Sequence, residues 1–323
     1  MEKIEANISK AGGYTGRRMA KDKLFKHVMT FGGLSVIIAI SAIFFYLASV
    51  VVPIFMPAEM DELKSLPLPA ARSAVVHFDA EELAEVGVRF QADGGVDFFD
   101  LRDGRSMGEA RVTPPQGVRI TSFAAGDPSQ KAVAYGLDDG RMLLVRQDYR
   151  VNFRPDPKDP SKDIRSIVPS LKHPLGEQPL TVDAQGHALK LLTVQHSDEG
   201  TTAIALTGDG RLVMTHYTSR ANFITGEVFT EHNTVDLPLP PHGDIRRLML
   251  EVKQRDLYVL HGDRHVSHYD VMDKNSPRLV QTVEIAPQGE RVNAATLLSG
   301  GYSLIVGTDK GSLCLLYTSD AAD

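Results

Sequence analysis

ITSFAAGDPSQKAVAYGLDDGRMLLV, residues Ile120 to Val145, reads as an apolar strand, a polar turn, a second strand, a tight Asp/Gly turn and a third strand. The same layout returns in LLTVQHSDEGTTAIALTGDGRLVMTHY (Leu191–Tyr217) and IRRLMLEVKQRDLYVLHGDRHVSHYDV (Ile245–Val271). It returns again in VNAATLLSGGYSLIVGTDKGSLCLL (Val292–Leu316), and an earlier copy is VVHFDAEELAEVGVRFQADGGVDFFDL (Val75–Leu101). The tight turns are Asp93-Gly94-Gly95, Asp138-Asp139-Gly140, Asp209-Gly210, Asp263-Arg264 and Asp309-Lys310-Gly311. Asp-Gly supplies the positive φ angles of hairpin turns, so these positions punctuate antiparallel strands.

A second mark precedes the units. Gly117, Gly186, Gly243 and Gly289 stand in TPPQGVRI, VDAQGHAL, LPPHGDIRRL and APQGERVN, 69, 57 and 46 residues apart. Before three of them lies a further apolar segment, EARV, NTVDL or VQTVEIA, a candidate fourth strand. Four strands in about 40–50 residues, repeated, is the blade pattern of a β-propeller. The expected fold is therefore mainly β, with a WD40-like β-propeller domain over 73–313. It is expected to be incomplete, because the fifth copy stops within its third strand at Leu313. The chain has no tryptophan, unlike WD-signature and quinoprotein-type propellers. Arg154 to Pro179, with six prolines and many charges, is expected to be a loop on the rim.

Ahead of the repeat, Val28 to Ala58 contains no Asp, Glu, Lys, Arg or His. A helix needs about twenty mostly apolar residues to cross the hydrocarbon core, and Leu34 to Met56 supplies them. A cleaved signal peptide would have a shorter apolar region of about 7–15 residues ending at a small-x-small site, which this run lacks. Lys3, Lys10, Arg17, Arg18, Lys21, Lys23 and Lys26 precede the span, and Glu59, Asp61 and Glu62 follow it. Basic flanks stay inside, so 1–27 is expected to be cytoplasmic, 28–56 transmembrane, 57–72 a linker, and the β domain periplasmic in a bacterial inner membrane. Ser35, Ala39 and Ala42, with Tyr46 a turn further, share one face on which another helix could pack.

Between Ala58 and Leu313 there are 28 Lys and Arg against 36 Asp and Glu, which argues against nucleic acid as a partner. The one cysteine, Cys314, allows no disulfide within the chain. It opens CLLYTSDAAD (314–323), which reads as the translation of the transposon end and adapter of tagmentation sequencing libraries. Natural sequence is then expected to stop near Leu313 and the protein to continue beyond it.

Sites for chemistry are scarce. His261, His265 and His268 cluster in sequence but flank a hairpin, where His265 and His268 face opposite ways on a regular strand. The turn carboxylates Asp138, Asp139, Asp209, Asp263 and Asp309 come one or two per turn, whereas calcium needs six to eight converging oxygens. No Gly-x-Ser-x-Gly, His-Glu-x-x-His or Walker-type loop occurs. No catalytic residue, metal or cofactor is expected, and no enzyme.

GRRMAKDKLFKHVMTFGG (Gly16–Gly33), FFYLASVVVPIF (Phe44–Phe55) and FFDLRDG (Phe98–Gly104) resemble the start of extended Pst-type phosphate ABC-transporter permeases of proteobacteria. The resemblance lies wholly in the accessory region of such subunits, a large periplasmic insertion after the first helix. No coupling segment and no further permease helix is present, so no transport residue carries over. The resemblance implies a membrane subunit whose partners are a second permease subunit, a cytoplasmic ATPase and a periplasmic phosphate-binding protein. The alternative is a free-standing membrane-anchored scaffold or sensor.

Overall fold

The computed structural model describes residues 2–56, 65–155, 163–221, 228–298, 301 and 303–317. The chain divides into two units, Met1–Ser65 and Leu66–Asp323.

The first unit is one helix, α1 (Glu2–Val51), about 75 Å long at 1.5 Å per residue. A 3-10 turn, Val52–Phe55, follows it, and Pro53 lies at the start of that turn, where its missing N–H ends the α-helical ladder. The stretch Lys21–Phe55 is long and apolar enough to cross a membrane. None of its side chains is buried, Phe31 and Phe55 being 77% and 82% exposed. Thr30, Ser35 and Ser49 turn their hydroxyls back onto the carbonyls of Lys26, Gly32 and Tyr46 at 2.7–2.8 Å. That satisfies them without water, as hydrocarbon surroundings require. The helix is longer than the apolar run. It continues back through the basic segment to Glu2, since no proline interrupts 2–52.

The second unit is built of consecutive antiparallel strands in five sheets. The first sheet is β1 (Val75–Ala80), β2 (Val86–Gln91), β3 (Gly95–Asp100) and β4 (Ser106–Arg111). The second is β5 (Ile120–Ala125), β6 (Ala132–Leu137), β7 (Arg141–Pro155) and β8 (Asp163–Lys172), with the short β9 (Leu180–Thr181) beside β7. The third is β10 (Leu189–Ser197), β11 (Gly200–Thr207), β12 (Leu212–Ala221) and β13 (Val228–Leu237). The fourth is β14 (Ile245–Leu250), β15 (Asp256–His261), β16 (His265–Asp270) and β17 (Arg278–Glu284). The fifth is β18 (Val292–Leu297), β19 (Ser303–Thr308) and β20 (Leu313–Tyr317). The chain is thus mainly β with one N-terminal apolar helix, and among the described residues the sheets do not close on one another.

Strand alternation explains how the sheets stack. In β6, Ala132 and Ala134 enter a core shared with the third sheet, while Val133, Tyr135 and Leu137 enter one shared with the first. In β15, Leu257 and Val259 face the third sheet, and Tyr258 and Leu260 face the fifth. Four such cores lie between successive sheets. Each fully buried aliphatic side chain contributes about 1.5–3 kcal/mol, so these interleaved faces dominate the stability of the unit.

The two glycine marks of the sequence meet in space. A Cβ on Gly140, at φ +81°, would lie 2.6 Å from the Asp183 carbonyl oxygen and 2.9 Å from Cα of Gly186. Gly243 sits against Gly262 in the same way, with a Cβ on Gly243 falling 2.8 Å from the Gly262 Cα. The tight turn of the second sheet therefore packs on the connector that leads on to the third, and that of the fourth sheet on the connector that arrives from the third. Both positions are held to glycine.

Arg154 to Pro179 is not a loop throughout, though residues 156–162 lie outside the described residues. Arg154 and Pro155 end β7, and Asp163–Lys172 form β8, paired from Arg146↔Lys172 to Pro155↔Asp163. Pro169 is tolerated opposite Tyr149 because β8 is an outer strand, where a missing N–H can face away from the ladder. Together β8 and β9 make the fourth strand of this sheet, interrupted by residues 173–179. The third strand of the fifth sheet continues past Leu313 through Cys314 to Tyr317. Of the expected linker 57–72, residues 57–64 lie outside the described residues. Arg72 and Ser73 are fixed to the first sheet by their N–H groups, which donate to Oε1 of Gln91 at 2.6 and 2.9 Å.

Candidate interaction surfaces

In a meander the turn between the first and second strands and the turn between the third and fourth lie at the same end. Contacts between sheets bring these ends together in the second unit. Lys131 reaches Glu82 at 3.1 Å, joining the first such turns of the first and second sheets. Gln254 Nε2 donates to Ser197 Oγ at 3.1 Å, joining those of the third and fourth. An open cavity of about 530 Å³ lies here, lined by Ala125–Ser129, Thr193, Gln195, Leu248–Leu250, Val252, Thr296–Leu298 and Gly301. Its walls come from β5, β10, β14 and β18, the first strands of four successive sheets.

Gln195 spans this cavity. Its Nε2 donates to the Leu250 carbonyl at 2.9 Å and its Oε1 accepts from the Asp127 N–H at 2.9 Å, so one buried amide ties three sheets together. The Asp127 carboxylate accepts from Ser129 N–H and Oγ at 2.9 and 2.6 Å, which turns it into its own loop. Apart from the Asp127 carboxylate and the Gln195 amide, both engaged in these hydrogen bonds, the lining is aliphatic, hydroxyl and main chain. Around the same end, Leu83, Phe153 and Met272 are 63%, 68% and 63% exposed.

The opposite end is polar and bonded to itself. Asp139 pairs with Arg141, Asp209 with Arg211 at 2.7 Å, and Asp263 with Arg291 at 3.0 Å. Arg211 also reaches Asp183 on the preceding connector at 2.9 Å. Hydrogen bonds from Arg211 and Thr207 hold the Asp209 carboxyl well below the usual carboxylate range. Asp139, Asp209 and Asp263 are thus paired with arginines, Asp309 accepts from the Arg291 N–H at 2.9 Å, and the turn carboxylates do not converge on one point. Among the described residues no group of three His, Cys, Asp or Glu side chains is placed to hold a metal ion.

The histidine cluster of the sequence is split. His268 lies flat on Tyr258, 5.0 Å between rings, with Nε2 2.6 Å from Asp256. His261 and His265 are direct cross-strand partners with rings 5.7 Å apart. Their third neighbour is His242, from the connector before the fourth sheet, 4.7 Å from the His265 ring and 6.3 Å from His261. His261 is fully buried; its Nδ1 donates to the His242 carbonyl, and its Nε2 lies 2.8 Å from Ser267 Oγ. Burial pulls the His261 imidazole below its ordinary value, and the His265 and His242 rings act in the same direction. Both its nitrogens are engaged, which leaves neither for a metal.

Three tyrosines escape a reading based on strand and turn patterns alone. Tyr135, Tyr217 and Tyr269 each donate a hydroxyl to a carbonyl belonging to the preceding sheet or its connector. The acceptors are Gln91 at 3.1 Å, Thr181 at 2.6 Å and Pro238 at 2.9 Å. The available signal is a lone Tyr in an inner strand of three copies, AVAYGL, LVMTHYTSRA and HVSHYD. Compared with protein-family models and with curated proteins, the chain matches none.

Proposed function

We propose that this chain is a membrane-anchored binding protein whose second unit is an open, WD40-like β-propeller serving as a docking or accessory domain. The observation that carries the reading is one chain joining a helix of spanning length to stacked sheets whose first strands gather around an open cavity. Support for the propeller comes from the four cores between successive sheets and from first strands gathered around a common cavity. The positive-inside rule puts the N-terminus in the cytoplasm and the β unit in the periplasm. The resemblance of the sequence to extended Pst-type permeases makes the assembly a phosphate ABC importer. Its partners are then a second permease subunit, a cytoplasmic ATPase and a periplasmic phosphate-binding protein.

The test is in-cell crosslinking and purification of the tagged full chain, together with phosphate uptake after deletion of residues 73–313. Capture of an ATPase and a phosphate-binding protein, with lowered uptake, is the expected result. Capture of other envelope proteins with unchanged uptake would turn the reading to the free-standing scaffold. Protease protection of the whole chain in spheroplasts would overturn the orientation.

A further inference from the structure

The β7–β8 hairpin outruns the rest of its sheet. Ten successive pairs join the two strands, against the six residues of the partner strands β5 and β6. Near the body, Ile167, Tyr149 and Leu171 pack into the core shared with the first sheet. On the same face come Val151, directly across from Ile167, and, further out, Phe153, across from Arg165. They are 46% and 68% exposed, and Val168 on the other face is 46% exposed. Three apolar side chains in water on one protruding ribbon are not needed to fold it.

The same ribbon carries opposite charge to its surroundings. Residues 146–155 and 163–172 hold five basic and two acidic residues, whereas the rest of 66–317 holds 22 basic against 31 acidic. Arg150 keeps its guanidinium in solvent, 3.7 Å from Asp148, with its side chain 72% exposed. On one face Val168 lies across from Arg150, and on the other Phe153 lies across from Arg165, which is paired with Glu85 at 2.7 Å. Exposed apolar groups among basic ones match a bilayer interface better than a folded partner. The chain also brings a bilayer with it, through the spanning-length stretch of α1.

We propose that the outer half of the β7–β8 hairpin seats on an anionic lipid surface. Phe153 and Val151 on one face of the ribbon enter the interfacial layer, and Arg150 on the other face, across from Val168, meets lipid phosphate. This inference needs the helix to be membrane-inserted and is independent of the transport reading.

The chain contains no tryptophan, so Phe153→Trp creates a single reporter in the full-length protein. Leu239→Trp, at an exposed position on the connector between β13 and β14, is the control. Both are reconstituted in nanodiscs of phosphatidylcholine, with or without phosphatidylglycerol, containing brominated acyl chains. Phe45→Trp on α1 sets the limit of full quenching. The expected result is about two-fold stronger quenching of the Phe153 reporter than of the control in anionic discs. Adding about 0.5 M salt, or Arg150→Glu, should weaken it, because the headgroup attraction is screened or reversed. Equal quenching of the two reporters in anionic discs overturns the proposal. Quenching that is the same in neutral and anionic discs and indifferent to salt overturns its electrostatic part, and with it the commitment to anionic lipid.

Discussion

Tyr269→Phe removes one oxygen from the boundary between the third and fourth sheets and should be felt as a loss of stability. The ring is fully buried in the core that joins these sheets, and its hydroxyl donates to the Pro238 carbonyl at 2.9 Å. Burial also raises the phenol to about 12, so it is a neutral donor at any ordinary pH. Taking the hydroxyl away leaves that carbonyl without this donor, at a cost of about 1–2 kcal/mol. Tyr269→Ala removes the ring as well and opens a cavity, bringing the cost to about 3–5 kcal/mol. For a unit of this size each kcal/mol shifts Tm by about 2–4 °C, so Phe should lower it by about 2–8 °C and Ala by clearly more. The assay is thermal unfolding of the full chain in mild detergent, followed by the sheet signal in circular dichroism. The melting of α1 has its own spectral signature and is read separately. If Tyr269→Phe melts with the wild type while Tyr269→Ala does not, the hydroxyl is not a staple and only the ring matters. If both mutants melt with the wild type, the third and fourth sheets are not held by this core.

Two other outcomes follow from the same coordinates. His261 is buried with its affinity for a proton lowered, so between its folded value and the ordinary value near 6.5 the unfolded chain binds the proton first. Stability should therefore fall as pH drops below about 6.5, by at most about 1.4 kcal/mol per pH unit for one proton. His261→Gln, measured from pH 7 to 5 by urea unfolding, should flatten that slope, and an unchanged slope would assign acid sensitivity elsewhere. On the outward face of the fifth sheet, Ile305 alternates with the buried Leu304 and Val306, and Leu313 is 74% exposed. The double change Ile305→Lys with Leu313→Lys should reduce self-association of the full chain in light scattering, and unchanged association would mean this face is not the sticky one.

The strand plan was legible because each of its signals has a local cause. Tight Asp-Gly turns need positive φ, and apolar runs between them can only be strands of matching length. EARV, NTVDL and VQTVEIA overlap β4, β13 and β17 for the same reason. The second sheet hid its fourth strand, since prolines and charges made 154–179 look like a loop. An outer strand tolerates both, and only the partner β7 shows that one is there. Side-chain meetings across connectors were not legible. His242 lies 19 residues from His261 and joins it through the packing of connector on turn, while His268, close in sequence, stacks on Tyr258 instead. Gln195 likewise acquires its role only when three sheets gather around it.

The two ends of the sheet series are not alike, and this bears on how a ring could close. The first sheet has a face turned away from the second, on which Phe99 covers Gly87. Beside it the Arg89 guanidinium, almost fully buried, pairs with Asp97 at 2.5 Å and donates to the Pro69 carbonyl at 2.9 Å. Gln91 adds its Nε2 to Asp97 at 3.0 Å while its Oε1 holds the N–H groups of Arg72 and Ser73. A segment without regular structure therefore caps this face, and its polar groups are satisfied by that cap. Another sheet packed here would have to displace the cap and leave a buried ion pair short of partners, which costs several kcal/mol. The fifth sheet offers the reverse, with Ile305, Leu313 and Leu315 on a face that no segment covers among the described residues. Further sheets can join at β20 by the same aliphatic interleaving that joins the other five. Closure onto the first sheet must then run through the Pro67–Ser73 segment, so the seam of any ring is polar where its other joints are apolar, and it is the joint most easily opened.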